Sequence, residues 1–252
     1  YTLPQLARRF ARDGEGEIVG LDFFDRDNRP FEGPQASGAA GTEPGGTALA
    51  IMLADAAPQT RLIPIRLDPA QPRHLGGALA FAAATPARLV VTALSGPERS
   101  AWEMFAQAAG QAKDRLLIIL PAGDENRDLD ANPLFPASLG LENALVVTAS
   151  GADGTRVPSA NRGAKSVDIA LSGDPVAALR SDGSTVAVAG SRAAAARAVA
   201  IAAQSVVRSP AITIATLKAQ ILALAKHPAG AAAYTRNGSI AAADSPQSTA
   251  PR

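Results

Sequence analysis

Seven short apolar runs are spread along the chain: EIVGLDF (17–23), TRLIPIRL (60–67), ARLVVTAL (87–94), DRLLIIL (114–120), NALVVTA (143–149), KSVDIAL (165–171) and STVAVA (184–189). Each is rich in β-branched residues or leucine, the pattern of a strand covered on both faces. Between and after them, GTALAIMLADA, HLGGALAFAAA, SAWEMFAQAAGQA, SRAAAARAVAIAAQSVV and ATLKAQILALAK repeat apolar residues at helical spacing. Strands that alternate with helices predict an α/β fold of three layers with a mainly parallel, seven-stranded sheet. Ligands of such sheets bind beyond the carboxyl ends of the strands. Two long loops, 25–46 and 122–136, interrupt the pattern, and loops of that length are usually functional or disordered. The end, AAADSPQSTAPR, has no apolar period. The expected organisation is one domain over residues 1–228 and a flexible tail or linker over 229–252.

Composition narrows the choices. The 252 residues are 47% hydrophobic and 19% charged, enough for one sizeable core. With 24 basic and 23 acidic side chains the formal net charge is +1, so no global field draws the chain to nucleic acid or an anionic membrane. The absence of cysteine rules out disulfides, thiolate metal sites and a thiol nucleophile. The apolar runs are too short for a membrane span, and no signal peptide is visible. Because the chain starts at Tyr1 and not at Met, a segment before it is expected to have been removed, and any targeting information with it.

Four stretches carry a resemblance, in unbroken order. Asp22 closes the first strand in IVGLD; GGTALAIMLADAAPQTRLIPIRL (45–67) has a helix, an Ala-Pro turn and a strand; LLIILPAGDEN (116–126) runs from an apolar strand into a Gly-containing turn; GSRAAAARAVAIAA (190–203) puts a serine before a small-residue helix. Together they resemble the subtilisin-like serine proteases: their first catalytic aspartate, histidine helix, oxyanion segment and nucleophile turn. LGGALAFAAATPARLVVTALSGP (75–97) and FPASLGLENALVVTASGADGTRVPSANRG (135–163) echo two further segments. The resemblance implies a subtilisin-like fold with Asp22 and Ser191 as vestigial catalytic residues. It also implies a substrate groove edged by Leu94, Ser95 and Gly96 and by Ala122 and Gly123, and an extracytoplasmic (periplasmic or secreted) location.

The chemistry departs from that family in two places. Gly45 stands where the resemblance places the catalytic histidine, and Asp124 where it places the oxyanion asparagine. A serine hydroxyl is a poor nucleophile until a neutral imidazole takes its proton, and an ionised carboxylate has no hydrogen to donate to an oxyanion. In subtilisin itself, losing one oxyanion donor costs about 3 kcal/mol. His74, at a helix start, and His227, beside Pro228 at a helix end, both read as structural or solvated.

Each candidate also has a plain structural role: Ser191 as a helix N-cap, Asp22 as a turn carboxylate, GGT as a helix start, Trp102 and Phe105 as core. The expectation is a pseudoprotease that docks a polypeptide or protein in the former groove, with no cofactor, metal, nucleic-acid or membrane partner. One alternative is an acid-optimum serine-carboxyl (sedolisin-like) endopeptidase using Ser191, Asp22, Glu43 as base and Asp124. The other is a purely structural domain of a larger protein.

Overall fold

The computed structural model describes residues 3–30, 45–68, 71, 73–92, 94–227 and 234–241. The chain opens with α1 (Pro4–Ala7) and β1 (Leu21–Asp22), then alternates α2 (Gly46–Ala56), β2 (Ile65–Arg66), α3 (His74–Ala84), β3 (Leu89–Val91), α4 (Glu103–Gln111) and β4 (Leu117–Pro121). β5 (Ala144–Ser150), β6 (Ile169–Ser172), β7 (Val176–Leu179) and β8 (Thr185–Val188) follow, then α5 (Ser191–Arg208), α6 (Ile214–Ala223) and β9 (Ser239–Ile240).

The main sheet is parallel, in the order β3-β4-β5-β6-β9, and β1 pairs in parallel with β2 as a separate two-stranded sheet. The expected seven parallel strands are therefore present among the described residues as hydrogen-bonded groups of five and two, not as one ladder. The identity of the seventh strand also differs. STVAVA forms β8, which pairs antiparallel with β7 in a hairpin. The run alternates exposed positions with half-buried or buried ones, the period of a strand covered on one face only.

The seventh parallel strand is β9, from the segment expected as a flexible tail. Ser239 and Ile240 pair with Ala170 and Leu171, and Ile240 is fully buried. The Tyr234 hydroxyl donates to the Gly154 carbonyl at 2.8 Å, and burial pushes its pKa up to about 12. One isoleucine among small and polar neighbours leaves no periodic signal, so only the tertiary pairing reveals this strand. The domain thus extends beyond residue 228, while 228–233 and 242–252 lie outside the described residues.

Helices cover both faces of the sheet. On one side Leu75, Leu79, Trp102 and Phe105 of the α3–α4 layer meet Leu116, Ile118 and Leu120. On the other, Ala194, Ala198, Ile201 and Ala202 of α5, with Leu217 and Ile221 of α6, meet Leu117, Ile119, Leu145 and Val147. α5 starts beside the carboxyl end of β4 and is buried almost all round. Alanine favours the helix itself, and its small side chain brings the helix axis close to the sheet. Each fully buried Leu or Ile in these layers contributes about 1.5–3 kcal/mol. Among the described residues no helix is long and apolar enough to cross a membrane.

Candidate active site

Asp22 ends β1 and is 1% exposed. Its Oδ1 accepts the Phe24 and Asp25 amides at 2.8 and 3.0 Å, and its Oδ2 accepts Arg66 Nη1 at 3.0 Å. Arg66 Nη1 also reaches Asp25 at 2.6 Å, and the guanidinium lies 4.5 Å over the Phe24 ring. Burial works to lower the Arg66 pKa, but the hydrogen bonds and charges of Asp22 and Asp25 prevail and hold it above its ordinary value. A buried carboxylate requires such matching. The turn and the cation supply it here, with no imidazole involved. Asp22 thus fills the turn-carboxylate role that its sequence position also allowed.

Ser191 belongs to a second network. The N-cap of α5 is Gly190, not Ser191, and Ser191 is the first helical residue, so the expected N-cap role passes one residue back. The capping is done from outside the helix: the Ser191 amide donates to Asp124 Oδ1 and Oδ2 at 2.9 and 3.1 Å. The Ser191 hydroxyl donates to Asp124 Oδ2 at 2.8 Å and accepts the Gly123 amide at 3.2 Å. Helix N-termini bind anions through such free amides, and here the anion is internal. Part of Asp124 is open to solvent, while protein around its carboxylate pushes its pKa up. The Ser191 bonds and Arg192 act in the opposite sense, and Glu125 adds to the rise.

Asn161, fully buried, organises the turn that carries Asp124. Its Oδ1 accepts the amides of Glu125 and Arg127 at 3.0 and 2.8 Å, and its Nδ2 donates to the Ala122 carbonyl at 2.7 Å. Sequence reasoning assigned no role to Asn161, and a lone asparagine in a loop carries no signal for one. Arg66 was missed too, although a cation closing the strand beside the Asp22 strand was a readable hint.

Asp22 and Ser191 share no hydrogen bond or ion pair, and their networks have no common member. Gly45 is the exposed N-cap of α2. The imidazole of His74 stacks on Phe23 with centroids 5.6 Å apart, and its Nδ1 has no hydrogen-bond partner. His227 is exposed at the other end of the chain. Neither histidine bonds Ser191. Glu43 lies outside the described residues.

The groove residues divide. Gly96 exchanges both backbone hydrogen bonds with Phe135 at 2.9 Å. Ala122 is fully buried, donating to Val147 and accepting from Asn161. Both of these expected groove positions thus have backbone groups paired within the fold. Gly123 directs its amide to Ser191 and its carbonyl to Asn161 at 3.0 Å. Ser95 is exposed and Leu94 half-buried. Among the described residues no cluster of three or more His, Asp or Glu side chains suits a metal ion.

Neither a family model nor a curated protein sequence matches the chain. Solved structures do. A cold adapted subtilisin-like serine proteinase superposes with a TM-score of 0.73 at 17% identity, covering 95% of this chain and 84% of that one. A lanthipeptide protease gives 0.70 at 15% identity over 89% and 78%. MycP1 from Mycobacterium smegmatis gives 0.59 at 21% over 83% and 73%.

Proposed function

We propose that this chain, whose fold is that of the subtilisin-like proteases, is a catalytically inactive member of that architecture that docks an extended polypeptide. The observation that carries the reading is the 2.8 Å bond from the Ser191 hydroxyl to Asp124, on a carboxylate that also takes the Ser191 amide. In a working acyl-transfer site the hydroxyl proton goes to an imidazole and the amide serves the oxyanion. Here Gly45 supplies no imidazole, and one internal anion occupies both groups. Docking uses the edge at half-buried Leu94 and exposed Ser95, where an extended segment can add by strand pairing.

The test is a serine-directed fluorophosphonate together with a denatured protein substrate, from acidic to neutral pH. The expected result is no labelling and no cleavage beyond that of Ser191→Ala. Labelling or cleavage abolished by Ser191→Ala overturns the inactive assignment. Saturable binding of an extended peptide, weakened at least several-fold by Ser95→Pro, supports docking; binding unchanged in that variant removes it from this edge.

The raised Asp124 pKa favours a second reading, an acid-optimum serine-carboxyl peptidase, because a protonated Asp124 becomes a donor. That reading requires cleavage that grows as pH falls and disappears in both Ser191→Ala and Asp124→Ala, while Asp124→Asn, whose amide donates at any pH, keeps it.

A further inference from the structure

Two cations meet on one neutral oxygen in the turn that carries Asp124. Arg156 Nη2 and Arg162 Nη1 both donate to Asn126 Oδ1, the second at 3.2 Å. Arg156 Nη2 also donates to the Pro158 carbonyl at 3.2 Å, and Arg162 Nη1 to the Asn126 carbonyl at 3.1 Å. Every one of these acceptors is uncharged. Two guanidinium groups that share a single oxygen stand inside the screening length of about 8 Å, so they repel each other.

The nearby carboxylates do little to offset that repulsion. Asp128 Oδ2 lies 3.7 Å from Arg162 Nε, beyond hydrogen-bond distance. Glu125 accepts Asn161 Nδ2 at 2.5 Å. Asp153, whose charge acts together with that of Arg156 on the Tyr234 hydroxyl, accepts the Thr155 amide and hydroxyl at 3.0 and 2.7 Å. Among the described residues Arg156 has no carboxylate partner, and its Nε has no hydrogen-bond partner. A guanidinium keeps its charge at any working pH and carries five donors, so this one is left short of acceptors.

The turn that presents these groups is fixed and reaches solvent. Asn126 holds φ at +56°, a region that asparagine enters more readily than most residues. Its amide donates to the Ser159 carbonyl at 2.6 Å, and Asn161 ties down the amides of Glu125 and Arg127 on either side. Asn126 is exposed, and Arg156 and Arg162 are half-buried. An aspartate at 126 would neutralise both cations with the same shape, yet the chain has the uncharged amide there.

Paired guanidinium forks match the two oxygens of a carboxylate. We infer that Arg156 and Arg162 bind an Asp or Glu side chain of the docked polypeptide, an inference that rests on the docking proposed above. Asn126 follows Asp124 by two residues, so a segment that passes Asp124 comes within reach of the pair. A monoanion suits the seat better than phosphate, because Asp128, Glu125 and Asp153 stand nearby and a second ligand charge would face them. The net charge of +1 exerts no such pull over the whole molecule, so the preference for an acidic partner is local.

The probes are two blocked peptides, acetyl-Ala-Val-Glu-Val-Ala-amide and its Gln counterpart, titrated into the full chain by calorimetry. The Glu peptide should bind about tenfold more tightly, as one charge-assisted contact provides. That difference should vanish when Arg156→Gln and Arg162→Gln are combined, with circular dichroism reporting that the fold is kept. Asn126→Asp is the second variant. It places the anion inside the chain, so it should raise the melting temperature and remove the Glu preference.

Equal binding of the two peptides, lost in Ser95→Pro, overturns the inference and leaves the docking intact, whereas binding of neither overturns both. A Glu preference that survives the double substitution or Asn126→Asp also overturns it. So does displacement of the Glu peptide by inorganic phosphate where chloride of equal ionic strength has no effect, because the seat would then serve a free anion.

Discussion

Gly190 enters α5 at φ +74°, and a Cβ there would lie 2.5–2.7 Å from the Asp124 carboxylate. Backbone strain and the clash act together, so Gly190→Ala should lower stability by about 1–3 kcal/mol, read by denaturant unfolding. Asp124 yields a pH prediction. Its folded pKa is raised, so the folded state holds the proton more tightly than the unfolded chain. That contribution is complete below the ordinary carboxylate pKa and is lost as pH rises through the elevated value. The melting temperature of the parent relative to Asp124→Asn should therefore fall across that window, and a difference that stays level would refute the assignment. Ser191 and Asp22 were legible as positions, because a serine before an Ala-rich helix and an aspartate closing a strand are local signals. Their partners were not legible: Asp124 lies 67 positions from Ser191 in the chain, and Arg66 lies 44 from Asp22.

At the scale of elements, α5 meets the sheet through small side chains. Ala194, Ala195, Ala198 and Ala202 are fully buried against the sheet, where larger side chains would push helix and sheet apart. Ala198→Leu should cost about 1–3 kcal/mol by overpacking. Leu217→Ala, in the neighbouring helix, should cost about 2–5 kcal/mol by leaving a cavity. Circular dichroism during urea unfolding checks both, with shifts in midpoint and an unchanged slope. Six of the seven apolar runs form parallel strands, because interior strands of such sheets have an apolar pattern that needs no partner to be recognised. The seventh run, at β8, shows how few positions separate an interior strand from one covered on a single face.

For the whole molecule, β9 closes one edge of the main sheet and carries the C-terminal anchor. Deleting residues 234–252 should expose β6 and lower the melting temperature, whereas deleting only 242–252 should leave β9 paired. In the intact chain, ultraviolet titration should find a tyrosine ionising near pH 12 that is missing in Tyr234→Phe. An ordinary phenol titration that Tyr234→Phe removes would mean that this segment is not docked.

The sequence alone determined the class of the fold, the order of its strands and helices, and where a serine and an aspartate would end them. These follow from periodicity and capping, which act over a few residues. Tertiary structure decided that β9 belongs to the sheet, that β1 and β2 stand apart from β3, and that Asp124 holds Ser191 while Arg66 holds Asp22. Such choices depend on which backbone edges and which charges meet across the fold, and contacts between residues far apart in the chain leave no local period to read.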